Sequence, residues 1–73
     1  MLDFPSRLKD LRIKKSLTQK AVAEFIKTYE KSYQRYENGE RKPTCEIVAK
    51  LANCFDVSID YLLGQTDKLK RNL

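Results

Sequence analysis

Glu30, Lys31, Gln34 and Arg35 carry the side chains best suited to chemistry in this sequence. That chemistry is recognition, in which no bond is made or broken. At about 100° per residue the four fall on one side of a helix, opposite Tyr29, Tyr33 and Tyr36. A guanidinium offers a planar fork of donors, an amide both donates and accepts, and a carboxylate only accepts. Such a stripe suits the reading of a patterned polar surface, and it equally suits a solvated helix face. Asn38 and Gly39 end the helix, and Glu40-Arg41-Lys42-Pro43 follows as a charged loop.

The groups that catalysis needs are missing from this pattern. The sequence has no histidine, which removes Cys/His zinc sites, His-based acid–base chemistry and Ser-His-Asp triads. Cys45 and Cys54 are nine residues apart on one expected helix. They point to opposite faces about 13 Å apart along the axis, too far to bridge. No Gly-rich phosphate loop and no nucleophile–base pair is present. The expectation is a protein that is not an enzyme and has no cofactor and no metal.

Charge narrows the partner. The net charge is +5, but residues 1–20 hold six basic and two acidic side chains, whereas residues 21–46 hold five of each. A basic balance favours a polyanion. The longest apolar run is too short to cross a bilayer, and the opening MLDFPSR lacks the basic and apolar stretches of a signal peptide. The expectation is a cytoplasmic protein without membrane contact.

Seventy-three residues make one small domain, and five helices would position the stripe. Phe4, Leu8 and Leu11 recur at helical spacing behind Asp3 as cap, with Lys14 and Lys15 closing the first helix; Ile13 lies off its stripe. Thr18 caps the second, with Leu17 and Val22 as a hydrophobic staple and Val22, Phe25 and Ile26 as the inner face. The third runs from about Tyr29 to Glu37. Thr44 caps the fourth, whose Ile47, Val48, Leu51, Ala52 and Phe55 form a wide apolar face. Ser58 caps a short fifth, with Val57 and Leu62 as a second staple, and Gly64 ends it. Residues 1–64 are expected to form the domain. Residues 65–73 are expected to be a basic tail, frayed or a helical extension. No β pattern appears, so the fold class is all-α.

The stretches LTQKAVAEFIKTYEKSYQRYENGERKP and VAKLANCFDVSIDYLLG resemble the phage-repressor/Cro-like (XRE-type) helix-turn-helix regulators. The resemblance covers Arg7 to Gly64, and the RYENGERKP and DVSIDYLLG segments are its most specific parts. It implies a compact five-helix phage-repressor-like domain with the helix-turn-helix at helices 2–3, from about Leu17 to Asn38. It implies a sequence-specific regulator of transcription, a repressor, binding double-stranded DNA as a homodimer. Glu30, Lys31, Gln34 and Arg35 would then read base edges in the major groove. Gln19, Tyr29, Ser32, Asn38, Arg41 and Lys42 would meet phosphates, with Gln19 also bracing the recognition helix and the Gly39 amide close by. Ala23 would be the small residue at the helix crossing. Arg12 and Glu37 would form a partly buried ion pair between the first and third helices. Tyr61 and Leu63 would be dimer candidates, because that end of the fold dimerises in relatives. The alternative is an antitoxin or controller module regulated through a small protein partner.

Three positions depart from the family pattern. Lys27 stands where the turn usually has Gly, which predicts a strained or reshaped turn. Tyr29 replaces a small polar residue, so its ring either packs inward with Tyr33 or lies against a phosphate. Glu40 replaces a common Lys and weakens the local phosphate field.

Overall fold

Four side-chain oxygens fix where helices begin. In the computed structural model, which describes residues 3–64, Asp3 Oδ1 accepts from the Ser6 amide at 2.9 Å, starting α1 (Phe4–Lys14). Thr18 Oγ1 accepts from Ala21 at 3.0 Å, starting α2 (Gln19–Phe25). Thr44 Oγ1 accepts from Ile47 at 3.3 Å, starting α4 (Cys45–Phe55). Ser58 Oγ accepts from Tyr61 at 3.0 Å, starting α5 (Ile59–Leu62). Each satisfies an amide that the helix leaves without a partner, worth about 1 kcal/mol. Only α3 (Glu30–Glu37) starts without a side-chain cap, at Tyr29. Among the described residues there is no strand, so the domain is all-α with five helices.

The helices end alike. Between each successive pair stands one residue in the left-handed region: Ser16 at φ 57°, Lys27 at 59°, Gly39 at 75° and Asp56 at 54°. The next residue's amide reaches back to a carbonyl five positions earlier. These bonds are Leu17 N to Arg12 O at 3.0 Å, Thr28 N to Ala23 O at 2.9 Å, Glu40 N to Arg35 O at 2.9 Å and Val57 N to Ala52 O at 3.0 Å. This is the Schellman closure, repeated at all four connections. At Gly39 the space is also tight, because a Cβ there would meet Pro5 Cγ at 3.3 Å.

The core is one cluster drawn from every helix: Leu8, Leu11, Val22, Ala23, Ile26, Tyr33, Tyr36, Val48, Leu51, Ala52, Phe55, Val57 and Leu62. Leu17 packs against it from the first connection, as the staple with Val22 requires. Ala23 is buried where α2 meets α3, so the two backbones approach closely.

Two expectations need correction and one is resolved. Phe25, expected on the inner face of the second helix, is 56% exposed. Val22, Ala23 and Ile26 are the buried side chains of this stretch, and Phe25 lies a full 100° step from Ile26, on the rim. Tyr29 is 84% exposed, so it does not pack with Tyr33. Its backbone is extended (φ −78°, ψ 149°), so the helical step that would align it with Tyr33 and Tyr36 does not apply, and the helix starts at Glu30. Ile13 is exposed, which settles its place off the stripe. The expected tail, 65–73, lies outside the described residues.

Candidate nucleic-acid interface

The outward face of α3 is built from its backbone register. Tyr33, Tyr36 and Glu37 are buried, and the helical step then turns Glu30, Lys31 and Arg35 outward, all exposed, with Gln34 half-buried on the flank nearest α2. Ser32 is half-buried as well. Asn38, Arg41 and Lys42 are exposed in and just beyond the last turn, together with Glu40. Tyr29 stands free at the helix start.

A chain of polar contacts holds this face. Arg12 Nε donates to Glu37 Oε2 at 2.7 Å and Arg12 Nη2 to Glu37 Oε1 at 3.1 Å, a bidentate pair between α1 and α3. Arg12 Nη1 also donates to the Leu17 carbonyl at 3.0 Å, tying in the connection before α2. Gln19 Nε2 donates to Glu37 Oε1 at 3.4 Å, and Gln34 Nε2 donates to Gln19 Oε1 at 3.1 Å. The Glu37 side chain is 2% exposed. Desolvation alone would raise its pKa, but the hydrogen bonds from Arg12 and the Arg12 charge outweigh it and hold the carboxyl below the ordinary glutamate range. The same contact raises Arg12. The Tyr33 hydroxyl is buried beside this pair; desolvation and then the Glu37 carboxylate push it far above its ordinary range, so it stays protonated.

The structure therefore brings Arg12, Gln19, Gln34 and Glu37 into one network and keeps Glu30, Lys31 and Arg35 unpaired on the surface among the described residues. Arg41 and Lys42 stand apart from it, past the Gly39 corner. The sequence led to the expectation that Gln19 braces the recognition helix, but not that Gln34 is the residue it meets. Their spacing across two helices becomes readable only once the crossing at Ala23 is known. Sequence reasoning also missed Arg7, which is 5% exposed with its guanidinium 4.4 Å over the Tyr61 ring, joining α1 to α5. An arginine in an otherwise solvent-facing position gives no sequence signal for that. Leu63, 47% exposed, lines an open apolar groove of about 240 Å³ with Phe4, Lys42, Pro43 and Val48. Among the described residues no cluster suited to holding a metal ion is found, and no helix is long and apolar enough to cross a membrane.

Two short helices crossing at a small residue, joined by a left-handed corner, with the second offering a braced polar stripe, define a helix-turn-helix domain. The profile described as "Helix-turn-helix" matches residues 8–62. The chain belongs to this family, of the XRE/Cro type. It is 39% identical to the HTH-type transcriptional regulator ImmR of Bacillus subtilis, over 97% of this chain and 56% of that protein. It is 36% identical to the cryptic phage CTXphi transcriptional repressor RstR of Vibrio cholerae, over 88% of this chain and 58% of that protein. The chain thus spans little more than half the length of these relatives. Among solved structures, the restriction-modification controller protein C.AhdI of Aeromonas hydrophila superposes with a TM-score of 0.78 at 29% identity, covering 81% of this chain and 89% of that one.

Proposed function

We propose that this domain is a sequence-specific double-stranded DNA-binding regulator of transcription, a repressor, that reads the major groove with α3 and acts in the cytoplasm. The observation that carries the reading is the Arg12–Glu37–Gln19–Gln34 network, which braces an outward stripe whose remaining members are unpaired. A recognition surface must be rigid before it meets its target, because ordering long side chains on binding costs affinity. The kinship with regulators named as transcriptional, one of them a phage repressor, supports the same conclusion.

Arg35 is the reader of guanine, since its fork matches O6 and N7, and a bidentate contact is worth about 1–3 kcal/mol of discrimination. Lys31 donates to acceptors on neighbouring base pairs, and Glu30 accepts from cytosine N4. Gln34 is positioned by Gln19 to present its remaining amide edge. Gln19, Ser32, Asn38, Arg41 and Lys42 hold phosphates, with the exposed Gly39 backbone beside them. Tyr29, clear of the core, lays its ring and hydroxyl against the backbone of the duplex. A second copy completes the binding unit through the α5 end, where Leu63 is exposed and Tyr61 is stacked under Arg7.

Selection of genomic fragments bound by the protein, followed by titration of variants, tests this. One preferred site should emerge. Arg35→Ala should relax preference at one base pair, while Arg41→Ala should weaken all sequences alike. An Arg35→Ala variant with unaltered preference would show that another residue reads the site. The likeness to a controller protein favours one second reading, a DNA-binding module governed by a small protein partner. Co-purification of a stoichiometric partner that changes operator occupancy would favour it.

A further inference from the structure

A glutamine amide has two ends of similar shape and opposite hydrogen-bonding sense, and Gln34 can offer a target only the end its surroundings leave free. Those surroundings are asymmetric. Glu37 accepts from Arg12 through both carboxylate oxygens, at 2.7 and 3.1 Å, and an ionised carboxylate can only accept. Gln19 must therefore turn its amino group to Glu37, and its Nε2 lies 3.4 Å from Glu37 Oε1. The Gln19 carbonyl oxygen is then left for α3, and it too can only accept. Gln34 must donate to it, and Gln34 Nε2 lies 3.1 Å from Gln19 Oε1. Turning the Gln34 amide alone would set two carbonyl oxygens against each other. Turning both amides would set the Gln19 oxygen against the Glu37 carboxylate. Either change loses a hydrogen bond and adds a repulsion. Gln34 Oε1 is thus the end left over. Among the described residues it has no hydrogen-bond partner, and the buried side-chain atoms without one are Arg7 Nε and Tyr33 Oη, so Gln34 Oε1 is open to solvent.

We infer that the Glu37 carboxylate, acting through Gln19, fixes Gln34 with its carbonyl oxygen outward and makes it a reader of exocyclic amino groups, adenine N6 or cytosine N4, in the major groove. The inference rests on the DNA-binding reading above and names the base class that one residue of the stripe selects. Every base pair carries one such amino group in that groove, on adenine or cytosine, and a carbonyl acceptor on the opposite base. A fixed oxygen therefore takes adenine or cytosine at its strand position and rejects guanine or thymine. Adenine gains further, because its N7 can accept the second hydrogen of Gln34 Nε2. A glutamine free to turn over would draw no line between amino and keto bases. The outward oxygen also repels phosphate oxygens, which only accept, so Gln34 faces the bases rather than the backbone. Glu37 and Gln19 are positioning residues, and Gln34 alone touches the base.

The test measures binding of wild type, Gln34→Ala and Gln19→Met to duplexes carrying each of the four bases at each position of the selected site. Wild type should favour adenine and cytosine over guanine and thymine at one strand position by about tenfold, the effect of a hydrogen bond made rather than opposed. Gln34→Ala should erase that preference. Gln19→Met keeps the side-chain length and the Arg12–Glu37 pair but breaks the relay. Its overall affinity should fall with the lost phosphate contact, and its amino-over-keto ratio should drop to near one at that position alone. Unsubstituted purine in place of adenine there removes only the amino group. It should weaken wild type about tenfold and Gln34→Ala not at all, and this arm needs no Gln19 variant. The inference is overturned by a Gln19→Met variant that melts as wild type and keeps the ratio, or by a wild type indifferent to the purine. A Gln34→Ala variant that alters no position overturns it as well. In each case an effect of Arg35→Ala at its own base pair leaves the α3 reading standing. A wild-type protein that selects no site overturns both.

Discussion

Glu37 shows how one carboxylate serves both stability and recognition. It is reached by Arg12 on one side and Gln19 on the other, so its loss strands a mostly buried guanidinium and frees the bracing amide. Glu37→Ala should cost about 3–5 kcal/mol in urea melts; a near-wild-type melt would show that the pair contributes little. Because the folded-state pKa lies below the ordinary 4.5, the contribution is complete above that value and disappears as pH falls through the lower folded value. Wild-type stability should therefore decline on acidification below about pH 4.5, and Glu37→Gln should flatten that decline. Lys27 is a second case. At φ 59° it holds a conformation that costs a residue with a Cβ about 1–2 kcal/mol, so Lys27→Gly should raise the melting midpoint while leaving DNA preference unchanged. The Lys27 strain was legible in the sequence, since a lysine stood where the family pattern has glycine. The same geometry at Ser16 and Asp56 was not, because nothing in their residue types separates a left-handed corner from an ordinary turn.

At the scale of elements, the crossing of α2 and α3 decides how the stripe is aimed. Ala23 is 2% exposed at that crossing, and a larger side chain would pry the helices apart. Ala23→Leu should destabilise by about 1–3 kcal/mol and should weaken specific DNA binding more than non-specific binding, because the Gln19–Gln34 contact spans the same gap. Comparing affinities for the selected site and for random duplex distinguishes this from general unfolding. Helix existence and order were readable from the caps and apolar spacing: Asp3, Thr18, Thr44 and Ser58 each open a helix. Phe25 and Tyr29 misled for opposite reasons. Phe25 is apolar and helical but lies beyond the width of the contact, whereas Tyr29 has the right spacing but sits outside the helix. Spacing identifies a face; only packing fixes how wide that face is and where its last residue falls.

At the scale of the whole molecule, the described residues extend 29 × 23 × 21 Å. That is shorter than the roughly 34–36 Å between half-sites one helical turn apart, so a palindromic site would need a second copy rather than a longer reach. The four repeated closures between helices have a separate consequence. The amides of Leu17, Thr28, Glu40 and Val57 lie outside the helices, yet each is bonded to a carbonyl inside one. Each therefore ties its connection to the last turn of the helix before it. In native-state deuterium exchange these four amides should therefore exchange as slowly as those of the adjoining helical turns, where linkers of this kind ordinarily exchange fast. The connections would thus tend to open together with the helices they join, so that the recognition face moves with the rest of the domain.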